Sequence, residues 1–149
     1  MEKNIDDRRE PELHVGAALN AVEAAMSGTH GYLALALSAG NPLADVMTGA
    51  KAAHHVYEAW WRVERSFECV KTPFAMPGDP QTIALLEAAR DHLGKLCACF
   101  PKTEMARGAL TELSKAVQSA KYALEKTEAA LATLSRAQKI ERMREPGKE

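Results

Sequence analysis

His54 and Glu58 stand four residues apart, as do Glu10 and His14. At 3.6 residues per turn each pair shares one face of a helix, a spacing from which metal-binding and acid–base sites are built. Two ligands hold no metal alone, and a di-iron bundle needs Glu-x-x-His on two helices with two further inward-facing Glu. No Glu-x-x-His occurs in the chain. Cys97-Ala-Cys99, with His92 and Cys69, is the nearest approach to a zinc set. Its spacing is not C-x2-C, and helical positions two apart point about 200° from one another, so separate thiols are the plainer reading. The expectation is no metal and no cofactor.

Nucleophilic catalysis asks for a Ser or Cys beside a base and an orienting group, and no signature of that kind is present. Gly28-Thr-His-Gly31 offers two glycines but lies inside a helical pattern, without the strand-turn-helix setting of a phosphate loop. Asp91-His92 supports acid–base work only if buried in a cleft; a solvated polar pair is the simpler account. No catalytic residue is assigned, and the chain is expected not to be an enzyme.

Aromatic residues carry a different chemistry. Trp60 falls on the apolar seam of its helix, and His54, Tyr57, Trp61, Glu64 and Glu68 form a stripe about 100° further round. Packed against a sister helix, that stripe is ordinary core. Facing outward, Tyr57 and Trp61 make a partly polar anchor of the kind enriched at protein interfaces. A second feature points the same way: residues 24–44, AAMSGTHGYLALALSAGNPLA, hold no Asp, Glu, Lys or Arg in a chain that is 26% charged. Its far face offers Ser27, His30, Ala34, Leu35 and Ser38, and Leu35 projects about 200° from Leu33, so one core does not easily take both. Leu35, His54, Tyr57 and Trp61 are therefore the expected contacts with a protein partner or a second copy of the chain.

The rival surface is electrostatic. Residues 1–101 hold 9 basic and 13 acidic side chains, whereas residues 102–149 hold 10 and 7. Arg136, Lys139, Arg142 and Arg144 cluster at the basic end and suit phosphate contact within a nucleoprotein complex. Cations also favour a helix C-terminus through its dipole, interspersed Glu dilutes the field, and no stacking aromatics accompany them. The alternative function is accordingly a small helical subunit contacting nucleic acid through this end.

The elements that must position these residues are helical. The chain has 149 residues, 27 of them Ala against 8 aromatics and 7 Pro, and Ala is the strongest helix former. Length and composition suit one domain, 1–149, with a single core. Residues 1–10 are expected to be a charged arm and 136–149 a charged, partly frayed helix end. A net charge of −1 excludes both a uniformly basic coat and a nucleic-acid mimic. The charged start MEKNIDDRREPE is unlike a secretion signal, and three cysteines suit a reducing compartment, so a cytoplasmic setting is expected. The uncharged stretch has the length of a membrane span but too many Gly, Ser, Thr, His and Asn to be one.

Pro/Gly punctuation cuts the chain into four segments. The first, from about Pro11 to Ser38, carries Val15, Leu19, Val22, Met26, Leu33 and Ala36, interrupted at Thr29. Ala39-Gly40-Asn41-Pro42 ends it and starts the second, whose seam runs Val46, Gly49, Ala53, Val56, Trp60, Val63, Phe67, Val70. KTPFAMPGDP is a loop, Asp79-Pro80 a cap and first-turn pair, and Leu85, Leu86, Ala89, Leu93, Leu96, Cys97 and Phe100 a short third helix closed by Pro101. Thr103 caps a fourth helix with Ala106, Leu110, Leu113, Val117, Ala120, Leu124, Leu131 and Leu134 on one face and Thr127 as the weak member. Four amphipathic helices at near-3.5 periodicity predict an all-α antiparallel four-helix bundle, with an orthogonal four-helix array as the alternative.

Overall fold

The computed structural model describes residues 2–38, 43–72, 78–100 and 107–144. The order is α1 (Glu2–Ser38), α2 (Leu43–Lys71), α3 (Pro80–Cys99) and α4 (Arg107–Arg144), with no strand among the described residues. Neighbouring pairs are α1–α2, α2–α3, α3–α4 and α4–α1, a closed ring in which α1–α4 is the most extensive contact. Direction follows from which residues meet. Gly16 lies against Phe67 and Gly49 against Leu33, while Trp60 donates to Glu23, so α2 runs back along α1. His14 meets Thr133, Gly28 meets Ala116 and Gly31 meets Glu112, so α4 also runs antiparallel to α1. Right-angled helices touch at one stretch only; contacts sustained over several turns make this the antiparallel bundle rather than the orthogonal array.

Helix ends follow local chemistry, with two corrections. α1 begins at Glu2 rather than near Pro11, so residues 2–10 are helical too. Pro11, expected as a starter, sits inside and is buried; a proline there forfeits one backbone bond without ending the helix. At α3, Asp79 does hold the N-cap position and Pro80 the first turn, but the Asp79 carboxylate makes no capping bond. The backbone supplies the closure, Ile83 N–H donating to the Asp79 carbonyl at 3.1 Å. Phe100, at φ −69° and ψ 136°, is extended as a residue before proline must be. The expected turn at Ala39-Gly40-Asn41-Pro42 and the Thr103 cap lie outside the described residues.

The core draws on all four helices, and its seams lie about one residue from those read in sequence. On α2 the buried line is Gly49, Ala52, Val56, Ala59, Val63, Ser66 and Val70, with Ala53, Trp60 and Phe67 only half-buried beside it. On α4 Leu113, Ala116, Ala120, Ala123, Thr127, Ala130 and Leu134 are buried, and Val117 and Leu124 flank them. Alanine occupies the centre because facing backbones approach closely there, and larger side chains fill the edges. On α1 Thr29 is fully buried and Tyr32 packs edge-on against Phe100 with ring centroids 5.8 Å apart. Thr29 is therefore part of the core and not a break in it. α3 supplies the bulk: Leu86, Leu93 and Leu96 are fully buried, each contributing about 1.5–3 kcal/mol by apolar burial. No helix among the described residues is long and apolar enough to cross a membrane.

Candidate functional site

The outward face of α2 is built from positions recurring every four and three residues. Leu43, Met47, Ala50, His54, Tyr57, Glu64 and Glu68 on this line are exposed, and Trp61 is half-buried. Four-three spacing keeps a line straight along a helix in contact with another helix, and the inner seam already occupies the opposite side. Leu43 is 72% exposed, Met47 54% and Tyr57 53%, so the line is an apolar surface over its first four turns. Leu37, 63% exposed at the end of α1, adds to the same end of the bundle, because α1 and α2 meet there through Leu33 and Gly49. Ala24, Ser27, His30, Ala34 and Ser38 are also exposed, giving the outer side of α1 an uncharged surface.

Three of the four expected contact residues, His54, Tyr57 and Trp61, thus share one outward face. Leu35 does not join them on that line; it is half-buried on α1, where its carbonyl accepts from Ser38 Oγ at 3.4 Å. Trp61 is also partly spoken for. The Arg62 guanidinium lies 4.3 Å from its ring centroid, and the indole N–H donates to Glu58 at 3.4 Å. Arg62 in turn grips Glu58 through Nη1–Oε1 at 2.7 Å, which holds the Glu58 carboxyl below its ordinary value. Tyr57 is the freer aromatic, tilted against Trp60 at 6.0 Å. Sequence reasoning missed Leu37, Leu43 and Met47, although continuing the 54–57–61 line backwards by threes and fours leads to both α2 residues.

Beside this face is a cluster the sequence did not reveal. His55 Nδ1 and His92 Nδ1 are 3.1 Å apart across α2–α3, their ring centroids are 5.4 Å apart, and His54 stands 5.2 and 6.3 Å from the two rings. Burial pushes both His55 and His92 below the ordinary imidazole value; His92 and His54 add to the shift at His55, and Arg62 and Lys95 at His92. His92 is therefore engaged with His55 and not with Asp91, which is solvated and pairs with Arg90 at 3.7 Å. The four-apart pairs are likewise diverted: Glu58 serves Arg62, and His14 meets Thr133 Oγ1 at 3.1 Å. Thr133 Oγ1 lies equally 3.1 Å from the Ala129 carbonyl, so its one proton serves one of these two contacts.

The thiols are unpaired and point apart. Burial raises both Cys97 and Cys99, opposed by Lys121 of α4 at the first and Lys51 of α2 at the second. A thiol held protonated is a poor nucleophile and ligand. Among the described residues no group of three His, Cys, Asp or Glu gathers to hold a metal ion. At the basic end, Arg136, Lys139 and Arg142 are exposed, and the side chain of Arg144 lies outside the described residues. Glu141 is drawn off to accept from Gly78 N–H at 3.3 Å, and the exposed Ile140 and Met143 interrupt the basic positions. No protein-family model, curated protein or solved structure matches this chain.

Proposed function

We propose that the protein is a non-enzymatic helical interaction module. It binds a protein partner by laying a partner helix along the outward line of α2, from Leu43 to Trp61, and against the uncharged end of α1. The supporting observation is the exposure of Leu43, Met47, Ala50, His54 and Tyr57 at four-three spacing. That spacing suits helix-on-helix packing, and an apolar line ending in Glu64 and Glu68 gives the partner a direction. Adaptors, small subunits and inhibitors of larger assemblies all work this way, and a second copy of the chain is one such partner.

The test compares capture by the unaltered protein with capture by Met47→Asp and Tyr57→Asp, alongside light scattering for self-association. A species, or a dimer, held by the parent and by Lys139→Glu but lost from both α2 variants supports the reading. Retention by both α2 variants overturns it.

A second reading uses Arg136, Lys139 and Arg142 as phosphate contacts, favoured by the diversion of Glu141 to Gly78, which leaves these cations less neutralised. Reversing all three charges, with Arg144, abolishes salt-sensitive retention on nucleic acid if this reading holds. Unchanged retention removes it.

A further inference from the structure

We propose that the His55–His92 contact is a proton-sensitive latch between α2 and α3, closed while at least one of the two imidazoles is neutral and opened when both carry a proton.

The geometry sets the chemistry. Two Nδ1 atoms 3.1 Å apart form a hydrogen bond only if one carries hydrogen and the other presents its lone pair. A neutral pair satisfies this with opposite tautomers, and a singly protonated pair satisfies it with imidazolium as donor. Two imidazolium rings place N–H against N–H, with like charges at contact distance in a half-buried seam, and the rings must separate. The surroundings do not rescue the doubly charged state. Among the described residues, His54, Glu58 and Arg62 of α2 and Lys95 of α3 are the groups that bear on the pair; of these Glu58 is the acidic one, and it is held by Arg62. The inference goes beyond the binding surface and stands whether or not that surface has a partner.

Both rings being depressed, the folded chain binds fewer protons than the unfolded chain below the ordinary imidazole value of 6.5. The latch is intact above that value. Its loss begins as pH falls below 6.5 and is complete once pH is under both depressed values.

Two measurements on the full chain decide. In a residue-resolved NMR titration of the unaltered protein, His55 and His92 are expected to protonate below 6.5 in two linked steps, because the second proton meets the first. In parallel, as pH is lowered from about 7.5 through the range in which ordinary carboxylates stay ionised, hydrogen exchange should lose protection along α3 and the facing turns of α2 before α1 and α4, in step with protonation of both rings. The His55→Gln/His92→Gln variant, which cannot charge, should lack that pH-dependent loss. Independent titration of the two rings at or above 6.5, or an equal loss of protection in the Gln variant, overturns the proposal. If that variant does not fold, the titration of the unaltered protein decides alone.

Discussion

Along α1 and α4 the buried positions are held largely by small side chains, Ala18, Ala21 and Ala25 on one and Ala116, Ala120, Ala123 and Ala130 on the other. A Cβ placed on Gly28 would lie 3.4 Å from the Ala116 Cα, so the two backbones run close enough that little but methyl groups fits between them. α3 differs in kind: it brings Leu86, Leu93 and Leu96 to the same core and meets α2 through two imidazoles. Close backbones gain dispersion contacts along their whole length and leave room for little but small side chains between them. A seam of long side chains with polar groups at its margin holds through a few large residues, and a proton can loosen it. The first side is built to be permanent and the second to respond.

That contrast is broken most directly by exchanging what each side tolerates. Leu93→Ala removes a fully buried side chain from α3 and is expected to lower stability by about 2–5 kcal/mol, read as a shift of the denaturation midpoint. Leu93→Met nearly conserves volume and is expected to cost under about 1.5 kcal/mol. On the other side the dangerous change is enlargement. Ala120→Leu forces bulk into the close seam and is expected to cost about 1–3 kcal/mol, although the same substitution on an exposed helix face is neutral. If Ala120→Leu proves harmless, the α1–α4 approach is not the tight contact described.

A smaller effect of opposite sign tests the interior of the same core. Thr127 Oγ1 and Thr29 Oγ1 are buried without a hydrogen-bond partner among the described residues. Thr127→Val replaces an uncompensated hydroxyl by a methyl group of like size and is expected to stabilise the protein by about 1 kcal/mol. A loss of stability would mean that the hydroxyl has a partner, for example an ordered water.

The four helices were legible in sequence because the proline and glycine breaks and the 3.5-residue period are strong signals, and α3 was placed nearly residue for residue. Less legible was which stripe faces inward. Reading the largest apolar residues as the centre of a seam put Trp60, Val117 and Leu124 there, whereas Ala59, Ala116 and Ala123 occupy it. Alanine is apolar enough for a core and small enough for a surface, so its pattern alone does not distinguish the two. Thr29 and Thr127 looked like interruptions because a hydroxyl counts as polar, yet both are buried. The His55–His92 contact joins residues 37 positions apart and needs the α2–α3 register, which no local pattern states. The outward line of α2 was half-read: His54, Tyr57 and Trp61 were found, and Leu43 and Met47 were not.

The smallest expected stability effect bears most on that surface. Tyr57→Ala removes a large aromatic side chain, a change that costs several kcal/mol in a core, but Tyr57 is half solvated and its only ring neighbour among the described residues is Trp60. Its expected effect on the denaturation midpoint is within about 0.5 kcal/mol. Trp61→Ala should cost somewhat more, since it also strips the Arg62 guanidinium of the ring beneath it. A Tyr57→Ala variant as damaging as Leu93→Ala would place Tyr57 in the core and leave no exposed aromatic on the α2 line. A Tyr57→Ala variant that unfolds like the parent, yet loses the partner or the dimer, separates folding from recognition at a single residue. It would show that the outward line of α2 contributes to binding a stability that the isolated bundle does not need.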